Sequence, residues 1–287
     1  MTSLLFLAYT LSMNPVINYL TIDVEDYFQV SAFEDIIRPM DWDGMEHRVV
    51  RNTEKVLAIL AEFDTKATFF IVGWVAERFP QLVRAIHAQG HSIGCHSYWH
   101  RKVYDLSPEE FRQDTAQAKS ILENSIGEPV LGYRAPSYSI TQKSLWALDI
   151  LKDLGFTYDS SIFPIHHDTY GIPGSPRFAY RHANGLFEYP ISTFRMLGGN
   201  LPISGGGYFR LFPYEFTRFF LRSLNRGEQQ PFVFYLHPWE IDPNQPRMRQ
   251  ARWFSRFRHY NHLHATATRL RRLLSDFAFM PLPTAVA

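Results

Sequence analysis

The chain has little cysteine and almost no net charge. A single cysteine, Cys95, rules out an internal disulfide framework and suits a reducing or a periplasmic setting alike. Twenty-nine basic side chains stand against 28 acidic ones, a net charge of +1, so no global field draws the whole protein to nucleic acid or an anionic membrane. No apolar run reaches the roughly 18 residues needed for a transmembrane helix. Fixed-period repeats and low-complexity tracts are missing too, which excludes solenoids and long disordered arms. What is present is apolar and aromatic: 46% and 16% of the 287 residues, enough for one large domain with a substantial core.

Residues 1–15 read as a leader or a disordered N-terminus. Their apolar stretch, Leu4–Leu11, lacks a basic start and a small-residue cleavage site, and a second methionine, Met13, precedes the first strand. From residue 16 strands and helices alternate. Val16–Asp23, Ala67–Gly73, "SIGCHS", "PVLGYR", "FTYDSS", "LFEYPIST" and "FVFYLH" have the character of short strands. Between them, His47–Phe63 has helical spacing, and Pro80–Gly90 opens on proline and stops at glycine. Ser107-Pro-Glu-Glu110 is a capping box, and helices are also expected from Thr141 to Gly155 and from Pro213 to Asn225. This order predicts an α/β fold with a mainly parallel sheet and crossover helices, open or closed into a barrel.

Ionisable residues gather where the expected strands end: Asp23, His96, Arg134, Asp159 and His237. In parallel α/β folds, sites form at the C-terminal ends of strands. His96 and His100 are four apart, which on a helix would place both imidazoles on one face as a metal-ligand pair; a surface or capping pair is the alternative. "TIDVED" offers the missing carboxylate. Asp23 and Glu25 share a face if the strand continues, while Asp26 falls in the turn beyond, and a cation would offset the repulsion among the three. An acidic turn is the alternative. Arg134 can orient a carboxylate, and the backbone after Pro136, towards Tyr138, can aim an N–H at an oxyanion. His237 is a candidate general acid, with Asp159 as charge partner, or else a packed histidine. His91 reads as structural.

In order, these segments resemble the polysaccharide deacetylases, carbohydrate esterase family 4, over about residues 16–240. The resemblance implies a distorted (β/α) barrel that hydrolyses N- or O-acetyl groups on sugars with one divalent metal, zinc first, with cobalt, nickel and manganese as alternatives. "HSYWH" is similar to the family's metal motif, making His96 and His100 ligands. "TIDVED" departs from the usual adjacent aspartates: Asp23 becomes the base, with Glu25 or Asp26 as ligand. In "RAPSY", Arg134 would orient Asp23, and the Ser137–Tyr138 backbone would help form the oxyanion hole. "YLHPWE" would supply His237 as acid, tuned by Asp159.

"TIDVEDYFQVSAFE", "GYRAPSYSI", "GGGYFR" and "LHPWEID" more closely resemble the exosortase-associated exopolysaccharide subfamily. That implies a C-terminal extension, here 241–287, packed on a catalytic domain of residues 16–240. It implies a bacterial exopolysaccharide or its glycan precursor as substrate, and a cytoplasmic setting ahead of a periplasmic or secreted one. Tyr208, Arg210 and Trp239 are the expected sugar contacts, with the glycines beside Tyr208 letting backbone approach a sugar. The basic and aromatic stretch Arg247–Arg272 reads as a solvated, partly packed helix pair, with an anionic glycan or lipid-linked pyrophosphate as the alternative ligand. Other activities remain open at this point: deformylation of a lipid-linked amino sugar, hydrolysis of a cyclic amide, or glycan binding without turnover.

Overall fold

The computed structural model describes residues 16–284, so the leader assigned to residues 1–15 lies outside the described residues. The first strand, β1 (Asn18–Val24), is buried along nearly its whole length. Its residues alternate all the same: Leu20, Ile22 and Val24 join the core, while Thr21 and Asp23, equally buried, accept from Arg134 on the other face. Then follow β2 (Thr68–Ile71), β3 (Ser92–Cys95), β4 (Gly132–Tyr133), β5 (Tyr158–Asp159), β6 (Tyr180–Arg181) and β7 (Phe187–Glu188). A hairpin of β8 (Thr193–Met196) and β9 (Gly199–Pro202) stands apart, and β10 (Val233–Leu236) and β11 (Phe279–Met280) complete the set.

The main sheet runs β10-β1-β2-β3-β4-β5-β7-β6, parallel throughout except for β6. It is a curled half-barrel, the distorted (β/α) barrel expected from the sequence, left open between β10 and β6. Strand β1 is shared three ways. Its C-terminal half pairs with β2, β10 lines its other edge, and Asn18 and Tyr19 pair with Phe279 and Met280 of β11. The last strand of the described chain thus buttresses the first.

Helix α1 (Val49–Glu62) turns Val49, Val56, Leu57, Ile59 and Leu60 into the core. Each such burial is worth about 1.5–3 kcal/mol before entropy is subtracted. Next come α2 (Gly73–Arg78), α3 (Pro80–Ala88) and α4 (Pro108–Ile126). Helix α4 begins at the capping box, Ser107 Oγ accepting from Glu110 N–H, and ends at Gly127 with φ +74°. The helix expected from Thr141 starts later, as α5 (Ala147–Asp153). Ser144 Oγ accepts from Thr141 N–H and ties residues 141–144 into a turn.

Helices α6 (Gly206–Leu211) and α7 (Tyr214–Ser223) precede β10, and α8 (Trp253–Tyr260) and α9 (Leu263–Asp276) precede β11. The glycine cluster serves the backbone rather than a sugar. Gly205 has φ +130° and bridges to Tyr235 of β10; a Cβ there would lie 2.1 Å from the Tyr235 carbonyl oxygen. Together with Ser192 Oγ and Ser204 O, which accept from the Val233 and Tyr235 N–H groups, it covers the open edge of β10.

Candidate active site

The C-terminal ends of β1, β3, β4 and β10 meet around a cleft of about 200 Å³. Asp23, Glu25, His96, His100, Ser137, Tyr138, His237 and Trp239 line it. A larger surface hollow of about 650 Å³ lies along α7, but it is lined by Glu215, Arg218, Phe219 and Arg222, with no histidine among its walls.

His96 and His100 converge without a helix. Both lie in the loop after β3, where Ser97 and His100 take left-handed backbone conformations with φ +58° and +53°. Ser97 Oγ accepts from His100 N–H and holds the turn. The four-residue spacing therefore works through a tight reversal, and helical periodicity was the wrong reason for it. Strand β1 likewise stops at Val24, and Glu25 N–H folds back to Asp23 O at 3.2 Å.

Glu25, His96 and His100 bring one ligand atom each to within 4.8 Å of one another. His96 Nδ1 lies 2.7 Å from the Arg134 carbonyl oxygen. It therefore carries the proton and leaves Nε2 with its lone pair facing the cleft, the usual outer support of a metal-binding histidine. Burial pushes the His96 pKa down to about 4, so the ring is neutral at pH 7, as a ligand must be. Glu25 Oε2 is buried 2.6 Å from His100 Nε2 without the alignment of a hydrogen bond. Its partner oxygen accepts from Trp239 Nε1 at 3.0 Å. Burial raises the Glu25 pKa, but the surrounding histidines outweigh it and hold the group ionised, well below the usual range. An orphaned anionic oxygen facing two imidazole nitrogens fits a divalent cation, and two histidines with one carboxylate leave coordination positions open for water and substrate.

Asp26 does not belong to this group. Its Oδ2 accepts from the N–H groups of Arg48 and Val49 at the start of α1, and Oδ1 from Tyr27 N–H. It caps a helix, so Glu25 is the carboxylate that faces the histidines. Burial pushes the Asp26 pKa up to about 6 against those N–H donors.

Arg134 is wholly buried, and each of its three guanidinium nitrogens donates inside the protein. It gives Nη1 to Asp23 Oδ1 at 2.6 Å and to Thr21 Oγ1, and Nε and Nη2 to Ser160. Asp23 is thereby locked with Oδ2 turned towards His237 Nε2, 3.8 Å away.

The charge partner of His237 is Glu240, not Asp159. Glu240 Oε1 lies 2.6 Å from His237 Nδ1 and also accepts its N–H, and Oε2 is 2.5 Å from Arg210 Nε. Burial alone would lower the His237 pKa, but Glu25, Glu240 and Asp23 outweigh it and hold it up at about 9. The signal was in "HPWE": a histidine with a glutamate three residues on, across a turn opened by proline.

Asp159 sits deeper, beside Ser161 and Glu188, with its pKa pushed well up by burial and by Glu188. Arg210 is buried and also donates to the carbonyls of Arg258, His259 and Asn261, so it positions Glu240 and touches no sugar. Tyr208 stands behind the cleft wall, its hydroxyl 3.5 Å from that of Tyr170, which lines the cleft, whereas Trp239 lines the cleft itself, stacked on His237. The Tyr138 N–H is taken by the Ala135 carbonyl at 3.1 Å and is not free for an oxyanion. Its buried hydroxyl has no partner among the described residues, so the phenol is the donor Tyr138 can offer.

Residues 34–158 match the family model described as polysaccharide deacetylase. This segment, under half of the chain, is what resembles the polysaccharide deacetylases. It is 35% identical over 98 residues to a peptidoglycan-N-acetylglucosamine deacetylase of Bacillus cereus, covering 34% of this chain and 36% of that protein. It is also 35% identical over 85 residues to a chitooligosaccharide deacetylase of Azorhizobium caulinodans, covering 29% and 40%. The chain thus spans well under half the length of these relatives. The deacetylase fold extends further than the sequence match. A Mycobacterium smegmatis crystal structure assigned to the polysaccharide deacetylases superposes with a TM-score of 0.58 at 20% identity, over 93% of this chain and 91% of that one. A peptidoglycan N-acetylglucosamine deacetylase structure superposes with 0.51 at 18% identity, over 94% and 88%.

Residues 160–287 match a second model, described as a domain of unknown function (DUF3473). The cleft crosses the seam between the two. The deacetylase segment brings His96, His100, Arg134 and Tyr138; the second brings His237, Trp239, Glu240 and Arg210; Asp23 and Glu25 lie ahead of both matches.

Proposed function

We propose that this chain is a metal-dependent hydrolase that removes N-acetyl groups from amino sugars of a bacterial exopolysaccharide or its glycan precursor. The observation that carries the reading is the division of one cleft into three parts. A ligand set, Glu25, His96 and His100, faces an aspartate clamped by Arg134 and a histidine clamped by Glu240. The curated relatives named above are sugar deacetylases, which supports the reaction class.

Asp23 takes a proton from the attacking water; its salt bridge to Arg134 fixes the oxygen that does so. His237, cationic at neutral pH, gives its proton to the departing amine nitrogen as the C–N bond breaks, and acetate and a free amine result. Tyr138 is placed to donate its hydroxyl hydrogen towards the developing oxyanion. A divalent ion held by Glu25, His96 and His100, with zinc as first choice, would polarise the acetyl carbonyl and acidify the water. The site's fully buried anion and neutral His96 are what such an ion requires.

The test is acetate release from N-acetylated oligosaccharides alongside metal analysis of the purified protein. Asp23→Asn should retain metal and lose about 10²–10⁴ in rate, the usual contribution of a general base. Full activity in that variant, or no acetate from any N-acetyl substrate with metal bound, refutes the proposal.

A further inference from the structure

From Pro243 to Ser275 the chain holds eight arginines and no acidic residue, in a protein whose total charge is +1. Helix α8 lies in this stretch and has two unlike faces. Inward, His259 is buried, its ring stacked 4.2 Å from Trp239 and packed against Phe33 at 4.6 Å. Outward, Trp253 is 76% exposed, Phe254 47% and Phe257 52%. Around these rings Arg247, Arg249, Arg252, Arg256 and Arg258 are all exposed. Among the described residues only one of the five comes near a carboxylate: Arg252, 3.9 Å from the equally exposed Asp35. On α9, by contrast, Arg271 and Arg272 are paired with Glu62 and Glu215, and Arg269 donates to backbone carbonyls. The positive charge in and just ahead of α8 is therefore largely without acidic partners, and it accompanies exposed apolar rings, with Arg258 lying 4.1 Å over Phe254.

We propose that this face docks on an anionic lipid bilayer. Trp253, Phe254 and Phe257 would enter the headgroup boundary, where the phenyl rings lose water and the Trp253 indole N–H can still donate to a headgroup oxygen, while the arginines meet lipid phosphates. Charge complementarity selects this occupant. A second copy of the chain would set five arginines against five. A soluble anionic glycan would satisfy the arginines and leave two phenylalanines, which can donate and accept nothing, unexplained. Helix α8 packs on the turn Ser31–Phe33, and Ser31 and Ala32 line the cleft, so docking would hold the rim of the cleft beside the membrane. The proposal does not depend on the deacetylase reading, because vesicle binding requires no turnover.

The experiment is co-sedimentation of the full chain with vesicles of phosphatidylcholine alone or mixed with phosphatidylglycerol. Wild type should pellet with the anionic vesicles only, and less as salt is raised. Arg249→Gln, Arg252→Gln and Arg256→Gln together should weaken partitioning by about fivefold per arginine. Trp253→Ser, Phe254→Ser and Phe257→Ser together should abolish it while leaving acetate release from a soluble oligosaccharide unchanged. Three results overturn the proposal: equal or no pelleting with the two vesicle types, binding to alginate without binding to vesicles, or a solution dimer that the aromatic variant dissociates.

Discussion

Glu240→Gln keeps the shape of a side chain that holds two cations apart and removes its charge. Glu240 is fully buried, with Arg210 Nε at 2.5 Å on one oxygen and His237 Nδ1 at 2.6 Å on the other. Removing one member of a buried pair costs about 3–5 kcal/mol because the other charge is left stranded. Arg210 keeps three backbone carbonyls, which favours the low end. At roughly 2–4 °C per kcal/mol, a loss of about 3 kcal/mol lowers the melting temperature by about 6–12 °C.

The second effect concerns His237. Its pKa of about 9 stands against an ordinary value of 6.5. That rise corresponds to about 3 kcal/mol at 1.36 kcal/mol per unit of pH. Because the folded value is the higher one, this stabilisation is complete below about 6.5 and is lost as pH rises through about 9. Its share of the Glu240→Gln deficit therefore narrows in alkaline buffer, while the share from Arg210 does not. In activity, losing one of three carboxylates lowers the His237 pKa, so the alkaline limb of acetate release moves to lower pH. Thermal melts at pH 6 and pH 9, with a pH–rate profile, read both effects. An unshifted alkaline limb together with a melting temperature unchanged within a degree or two would refute the linkage of Arg210, Glu240 and His237.

Chelation should stop acetate release and restored zinc should recover it; zinc should also raise the melting temperature of wild type but not of His96→Ala, by about 2.7 kcal/mol of stability at a hundredfold excess over Kd. Asp159 and Glu188 hold protons that the unfolded chain releases, Glu188 titrating at about 7, so their contribution to stability should fall as pH rises from 5 to 8, against the opposite trend from the buried neutral His91 and His96. Asp159→Asn should remove its part of that fall in melts across the range, and an unchanged slope would count against a proton held on Asp159. Gly205→Ala places a Cβ 2.1 Å from the Tyr235 carbonyl at φ +130°, which should cost more than the ~1–3 kcal/mol of backbone strain alone; a melting temperature equal to wild type would contradict the close approach.

The order of strands and helices was legible because hydrophobic periodicity and caps are local signals. Pro80, Gly90 and the Ser107–Glu110 box mark helix ends through backbone needs that no distant residue can change. The convergence of Asp23, His96, Arg134 and His237 followed from one topological fact, that parallel strands end on the same side. Pairwise partnerships were harder to see. Asp159 was a reasonable charge partner for His237, since both end strands, but β5 and β10 lie four strands apart along the sheet. The partner came instead from the same turn as His237. Asp26 could not be separated from Glu25 by spacing, because its role depends on where α1 begins, 23 residues on. Arg210, beside a glycine cluster, read as a sugar contact, but it is buried against Glu240. The short strands β6 and β11, two residues each, carry no period at all.

The sharing of β1 among β2, β10 and β11 bears on how the protein is made. β1 leaves the ribosome early, yet its partners at Val233–Leu236 and Phe279–Met280 are encoded more than two hundred residues later. At about 5–20 residues per second the nascent strand waits on the order of tens of seconds with an open edge. During that wait Asp23 lacks the face formed by β10, and Glu25 lacks Trp239. Contacts this distant slow folding. The cleft is therefore among the last features to assemble, and a chain interrupted before β10 would lack His237, Trp239 and Glu240 and carry an unfinished site.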